Sequence, residues 1–227
     1  MDRLYKSLSA LLGYPDGALR AALPEIAAEI GGSGKLPKNV KAGLADLIGS
    51  MAAADPYDLE AGYVELFDRG RSTSLHLFEH VHGESRDRGQ AMVSLQQTYA
   101  QAGLELGQHE LPDYLPAMLE YMALAPGEGP REMLRDCAHI VRTVGEALAS
   151  RGSGYVDVMD ALLALAGEPC VDRAGKPRPQ PERALDEEWA EEPVVFGPAA
   201  ACSIATGCGK SGTPGSAPIR FLSRARP

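Results

Sequence analysis

Apolar residues recur at helical spacing through the first 166 residues of the chain. Leu4, Leu8 and Leu11 share one helical face, and comparable stripes follow in the later segments. Capping residues separate the stripes, as where Asp55 and Pro56 precede a new apolar run. The pattern predicts helices near residues 2–13, 17–30, 38–53, 56–68, 75–82, 87–103, 111–124, 131–151 and 155–166.

The composition favours an all-α fold. Alanine and leucine dominate, while valine and isoleucine are scarce, so helix formers outnumber the β-branched residues that suit strands. A chain of 227 residues is long enough for one domain with an appendage. We therefore predict a single multi-helix, bundle-like domain over residues 1–167.

The composition changes at residue 168. The segment 168–227 holds 9 of the 17 prolines and few large apolar side chains, so it cannot bury enough surface to offset its conformational entropy. We predict a flexible tail there. One part differs, since residues 185–196 place the single tryptophan, Trp189, among acidic residues and before an apolar Val-Val-Phe. This part is typical of a docking segment.

Charge and hydropathy exclude several classes of protein. The net charge of −9 argues against nucleic-acid binding, which depends on lysine and arginine, and favours a basic or amphipathic peptide as partner. No apolar run reaches the roughly 18 residues that span a bilayer, and no signal-peptide pattern opens the chain, so we expect a cytoplasmic protein without direct membrane insertion. The four widely spaced cysteines make a disulfide framework improbable.

The stretch 63–92 concentrates the polar chemistry of the chain. It holds three of the five histidines and four arginines next to aromatic and leucine residues. His76 and His80 are four residues apart, as metal-binding pairs on a helix are, and with Glu79 they match the inverted HxxEH pattern of zinc peptidases. Because so short a pattern matches easily by chance, we favour a structural or peptide-contact role and expect no metal or cofactor.

Two further motifs are weaker still. Cys202 and Cys208 are six residues apart, which is not a zinc-knuckle spacing, so we interpret them as free thiols. The segment 207–211 resembles the end of a phosphate-binding loop, but Ile204 stands where the first glycine of that motif would fall. We therefore reject nucleotide hydrolysis.

Three motifs resemble one known family. They are HVHGESRDRGQAM at 80–92, ELPDYLPAMLEYMA at 110–123 and LDEEWAEEPVVF at 185–196. The chain is similar to the nitrate reductase molybdenum cofactor assembly chaperones of the delta-subunit (NarJ) type, which are related to the TorD and DmsD redox-enzyme maturation chaperones. The resemblance covers most of residues 57–124 and the tail segment.

The resemblance implies a TorD-like, non-catalytic chaperone, a monomer or weak dimer. It would bind the immature catalytic (alpha) subunit of a respiratory nitrate reductase through its N-terminal peptide, and allow molybdenum cofactor insertion before membrane attachment. Aromatic and leucine side chains would anchor the peptide, glutamates would pair with its cations, and arginines would hold the loop. The implied peptide-binding residues are Tyr63, Leu66, Phe67, Leu75, His76, Phe78, Glu79, His80, His82, Glu84, Arg86, Arg88, Met92 and Leu115.

Two alternatives stay open. The chain could be a chaperone of the same fold that serves another molybdoenzyme or a twin-arginine leader. It could also be a metal-dependent hydrolase that uses His76, His80 and His82.

Overall fold

The computed structural model describes residues 2–81, 86–107, 110–125, 127 and 129–173. Within these ranges the chain forms nine α-helices, which confirms the predicted all-α class. A π-helical turn (Val64–Asp68) and a 3₁₀ turn (Arg71–Thr73) lie between the fourth and fifth helices. The helices are α1 (Arg3–Leu12), α2 (Gly17–Gly32), α3 (Lys38–Ala53), α4 (Pro56–Tyr63), α5 (Leu77–Val81), α6 (Arg86–Gln101), α7 (Leu115–Leu124), α8 (Gly129–Ser150) and α9 (Val156–Ala166).

Aspartates begin three of the first four helices. The side chain of Asp2 accepts a hydrogen bond from the backbone N–H of Leu4 at 3.2 Å, and Asp16 does the same for Leu19 at 2.8 Å. Asp55 caps α4 in the predicted way, with Pro56 in the first turn. Each cap satisfies a backbone donor that a helix leaves unpaired at its start, so these starting points are set locally.

The core is built around α9. Every residue from Val156 to Leu163 is buried, and α9 packs against α8, α3 and α1. Helix α1 also packs against α7, and α2 packs on α1 and α3. Leu8, Leu11 and Leu12 of α1 are fully buried in this core, as their helical spacing predicts.

By contrast, α6 is lightly held. Its buried side chains among the described residues are Leu95 and Tyr99. The Tyr99 hydroxyl donates a 2.7 Å hydrogen bond to the carbonyl of Pro112, and its ring centroid lies 4.8 Å from that of Tyr121 in α7. One edge of α6 is thus fixed to α7 and to the segment before it.

The chain continues past α9 onto the surface of the domain. Residues 168–173, which we assigned to the tail, contact α8 and α9, and Val171 is buried. Specific contacts with two helices position these residues, and composition alone does not reveal such contacts. The predicted boundary at 167, the flexible tail and the docking segment 185–196 stay predictions, because residues 174–227 lie outside the described ranges.

Among the described helices, none is both long enough and apolar enough to cross a bilayer.

Candidate functional site

The segment before α5 pairs with the segment before α7. The backbone N–H of Leu77 donates to the Asp113 carbonyl at 3.0 Å, and that of Leu115 donates to the Leu75 carbonyl at 2.9 Å. His76 and Tyr114 form an isolated antiparallel bridge between these bonds. Because α5 has only five residues, it depends on this pairing for its position.

Asp113 is the centre of the site. Its side chain is fully buried, and one carboxylate oxygen accepts the backbone N–H of Phe78 at 3.1 Å. The other oxygen lies 3.4 Å from Nδ1 of His76, and a guanidinium nitrogen of Arg88 is 3.9 Å from the oxygen that accepts the Phe78 N–H. A buried carboxylate is stable only with such donors around it. Asp113 therefore joins the start of α5, the first turn of α6 and the start of α7.

Sequence reasoning missed this role of Asp113. Asp113 falls in the first turn of the predicted helix 111–124, where an aspartate commonly bonds to the backbone of its own helix. In the structure Tyr114 is the residue before the first turn of α7, and no side chain caps that helix. The carboxylate points instead to a helix 35 positions earlier in the chain, at Phe78. A buried aspartate before an apolar helix gives no local signal of such a distant partner.

Ser74 and Glu79 form a second set of bonds beside Asp113. The Ser74 hydroxyl donates to Glu79 at 2.7 Å and accepts the backbone N–H of His76 at 3.2 Å. Nε2 of His80 lies 2.9 Å from the Ser74 carbonyl, so this nitrogen carries the proton and donates it. Arg88 contacts Glu79 at 3.4 Å. The predicted residues His76, Glu79, His80 and Arg88 thus lie close together. Glu79 and Arg88 bond to each other, His76 faces Asp113, and His80 bonds to the backbone.

The predicted aromatic residues lie in the core. Tyr63 and Phe67 are buried, with ring centroids 4.8 Å apart, and Tyr155 of the segment before α9 packs edge-on against Phe67 at 5.0 Å. The Tyr63 hydroxyl donates to the Leu12 carbonyl at 2.8 Å. Burial raises the pKa of Tyr63 well above its usual range, so its hydroxyl stays protonated. These three rings therefore belong to the hydrophobic core.

The predicted peptide-binding residues therefore differ in exposure. Leu75 and Leu115 are buried like Tyr63 and Phe67, whereas Leu66, Phe78 and Met92 are half-buried and present part of their apolar surface. His82 and Glu84 lie outside the described residues, as does the side chain of Arg86. Which of these side chains touch a partner stays a prediction.

The hydroxyls of Tyr155 and Tyr63 provide a first test of the packing. Tyr155 is buried, and its hydroxyl has no hydrogen-bond partner among the described residues. Tyr155→Phe should therefore raise the free energy of unfolding, by up to about 1 kcal/mol, because an unsatisfied buried hydroxyl is removed. Tyr63→Phe should lower it by about 1 kcal/mol, since the Leu12 carbonyl loses its donor. Urea unfolding followed by circular dichroism measures both, and effects of equal sign would contradict the assignment.

The histidines are not arranged as a metal site in the described structure. His80 donates to a backbone carbonyl, and His76 faces Asp113. Among the described residues, no three histidine, cysteine, aspartate or glutamate side chains are placed to hold a metal ion. His82, which the hydrolase alternative also needs, lies outside those residues.

The fold and the site define a class of protein: an all-helical domain in which the polar residues of the central stretch bind α5, α6 and α7 together. The family model described as "Nitrate reductase delta subunit" matches residues 33–160. The chain belongs to this family, which confirms the resemblance seen in the sequence.

The names of similar proteins agree with the family. The chain is 46% identical over 198 residues, covering 83% of both proteins, to the "Nitrate reductase molybdenum cofactor assembly chaperone NarJ" of Escherichia coli (strain K12). It is 38% identical over 200 residues to the "Probable nitrate reductase molybdenum cofactor assembly chaperone NarW" of the same strain, covering 86% of this chain and 84% of the relative. A "Probable nitrate reductase molybdenum cofactor assembly chaperone NarJ" of Bacillus subtilis (strain 168) is 35% identical over 160 residues, or 70% of this chain and 86% of the relative. The relatives are named as chaperones and not as enzymes, which confirms the prediction of a non-enzymatic protein.

Proposed function

We propose that the protein is a maturation chaperone for a respiratory nitrate reductase. It binds the immature catalytic subunit through that subunit's N-terminal peptide in the cytoplasm, keeps it from the membrane, and releases it after molybdenum cofactor insertion. The observation that carries this proposal is the family membership, together with 46% identity across most of the chain to a protein named as such a chaperone. The molybdenum cofactor is cargo of the client enzyme in this scheme and not a resident group of the chaperone.

The surface we propose for the peptide is the exposed side of α5 and α6. Arg88 pairs with Glu79 and so holds the first turn of α6 beside α5. Met92 lies one turn further along the same face of α6 as Arg88. Half-buried Phe78 and Met92 then supply apolar surface for one face of an amphipathic helix, and exposed Val81 extends that surface.

Charge supports a basic peptide on this surface. The chain carries a net charge of −9, which attracts cations over long distances and speeds their encounter. The Glu79 carboxylate is already bonded to Ser74 and Arg88, so it is little available to a cation of the peptide. Burial of apolar side chains would therefore provide most of the affinity. The electrostatic field of the negatively charged chain would attract the peptide over longer distances.

Calorimetric titration with a synthetic peptide from the N-terminus of the nitrate reductase catalytic subunit tests this proposal. Phe78→Ala and Met92→Ala should each weaken binding by roughly tenfold or more, since burying such a side chain is worth about 1.5–3 kcal/mol. Tyr57→Ala is the matched control, because Tyr57 is 80% exposed on α4 and is not part of the proposed surface. Its affinity should equal that of the wild type.

Each other result has a distinct meaning. Saturable binding that neither substitution weakens would move the peptide to another surface while keeping the chaperone role. Binding of a twin-arginine leader, without binding of the nitrate reductase peptide, would assign the protein to a different client. Circular dichroism melts of all variants separate loss of contact from loss of fold.

A further inference from the structure

The chain turns back on itself after α9. Gly167 has a φ of 85°, a left-handed conformation that glycine adopts without strain, and its N–H donates to the Ala164 carbonyl at 3.2 Å. The N–H of Glu168 then donates to the Leu163 carbonyl at 2.8 Å. The following residues contact Asp160 first and Asp157 next, so they run antiparallel to α9.

Val171 fills a groove between α8 and α9. Val171 is buried and lies against Gly145 of α8, so position 145 has no room for a residue larger than glycine. A Cβ atom on Gly145 would lie 2.7 Å from Cγ2 of Val171 and 3.1 Å from Cβ of Met159. A glycine inside a 22-residue helix weakens that helix. Gly145 is explained by the close packing of the Val171 side chain against it.

Two buried carboxylates lie beside this groove. The side chains of Asp157 and Asp160 are 11% and 5% exposed. Asp160 accepts the backbone N–H of Val171 at 2.7 Å, and one guanidinium nitrogen of Arg173 contacts both carboxylates. Burying carboxylates so deeply is costly without a cation. Arg173 is the cation that contacts them both in the described structure.

We propose that the α8–α9 groove is a binding site for a short extended segment with an apolar residue two positions before an arginine. Residues 171–173 are its resident ligand, and we call them the latch. The apolar residue fills the space over Gly145, the backbone pairs with Asp160, and the guanidinium is held by the two carboxylates. This site shares no residue with the proposed peptide surface on α5 and α6.

The chemistry of the site favours arginine over lysine. A guanidinium has several donors in a fixed planar arrangement and can serve two acceptors while half of it remains in water, as Arg173 does at 47% exposure. Asp157 also reaches its position only because α3 has a glycine there. A Cβ on Gly43 would lie 2.1 Å from an oxygen of Asp157.

Limited trypsin digestion of the full-length protein tests the latch, because trypsin must take the arginine side chain into its own specificity pocket. Arg173 and Arg183 are both followed by alanine, whereas Lys176 and Arg178 are followed by proline. The bond after Arg183 is therefore an internal control. In the wild type, cleavage after Arg173 should be at least roughly tenfold slower than after Arg183, since cleavage follows the population of the open form.

Three variants complete the test. The double change Asp157→Asn and Asp160→Asn removes both charges with little change of shape, and should speed cleavage after Arg173 to about the rate after Arg183. Val171→Ser should act in the same direction. Arg173→Lys keeps a trypsin site and a charge but loses the planar donors, and should also be cleaved faster. Mass spectrometry identifies the products.

Two results would overturn the proposal. The first is equal cleavage after Arg173 and Arg183 in the wild-type protein, and the second is protection of Arg173 that survives loss of both carboxylates. If the double variant does not fold, as judged by circular dichroism, the Arg173→Lys and Val171→Ser variants decide. Unchanged protection in both would then overturn the latch.

Discussion

Asp113→Ala is expected to lower the free energy of unfolding by about 3 kcal/mol, because it removes the acceptor of a buried hydrogen-bond network. The Phe78 N–H and the His76 ring each lose a carboxylate oxygen within 3.4 Å. Arg88, with its guanidinium 3.9 Å from Asp113, keeps its contact with Glu79. The start of α5 then keeps its backbone pairing with the segment before α7 but loses the side-chain acceptor at Phe78. Urea unfolding at pH 7, followed by circular dichroism, measures the loss.

Two further substitutions test whether the hydrogen-bond network of Asp113 causes this loss of stability. Asp113→Asn keeps the size of the side chain and an oxygen that can accept the Phe78 N–H, so it should cost less than the alanine change. Asp46→Ala is the control, because Asp46 is an exposed carboxylate on α3 and surface changes usually stay within about 0.5 kcal/mol. A loss for Asp113→Ala no larger than the loss for Asp46→Ala would show that the network does not stabilise the fold.

The second large effect is expected at Gly43, where replacement by alanine should destabilise the protein by about 1–3 kcal/mol. Alanine normally improves a helix relative to glycine by roughly 1 kcal/mol. Here the added Cβ would stand 2.1 Å from an oxygen and 2.4 Å from the carboxyl carbon of Asp157. Since Asp157 is bound to Arg173 and lies on a buried helix, it cannot move aside without breaking that contact. Thermal and urea unfolding measure the difference.

Gly49 is the matched control on the same helix. It is exposed, and a Cβ there would meet nothing within 4 Å. Gly49→Ala should therefore stabilise the protein by about 0.5–1 kcal/mol, so the same substitution six positions apart should have opposite signs. Stabilisation by both changes would mean that α3 and α9 are not packed as closely as described.

The sequence was most informative where local rules decide the structure. The third helix was predicted over residues 38–53 and is found at Lys38–Ala53. The start of α4 at Asp55 and Pro56 was also correct, because capping and a first-turn proline act within a few residues. Leu8 and its neighbours in α1 were correctly placed in the core, since helical spacing and burial are directly related.

The site is formed by contacts between residues that are distant in the sequence, and local sequence patterns do not predict such contacts. The polar residues His76, Glu79, His80 and Arg88 were recognised as a group, but Asp113, which faces His76 and Arg88, was not connected with them. Its true contacts join segments 25 to 37 positions apart. The aromatic stripe was similarly ambiguous. The spacing of Tyr63 and Phe67 is the same for a core face and for a peptide groove, and only the packing of Tyr155 against Phe67 shows that these rings are interior.

Because α6 is lightly attached, moving it when a partner binds should require little free energy. A helix of 16 residues whose buried side chains, among those described, are Leu95 and Tyr99 adds little to the global free energy of unfolding. It belongs to the parts of a protein that open locally, while α9 opens only when the whole domain does. A partner that needs α6 in a shifted position would therefore lose little of its binding energy in moving it. Amide hydrogen exchange should be fast along α6 and slow along α9. The difference in rate measures how much less free energy is needed to open α6 than to open α9.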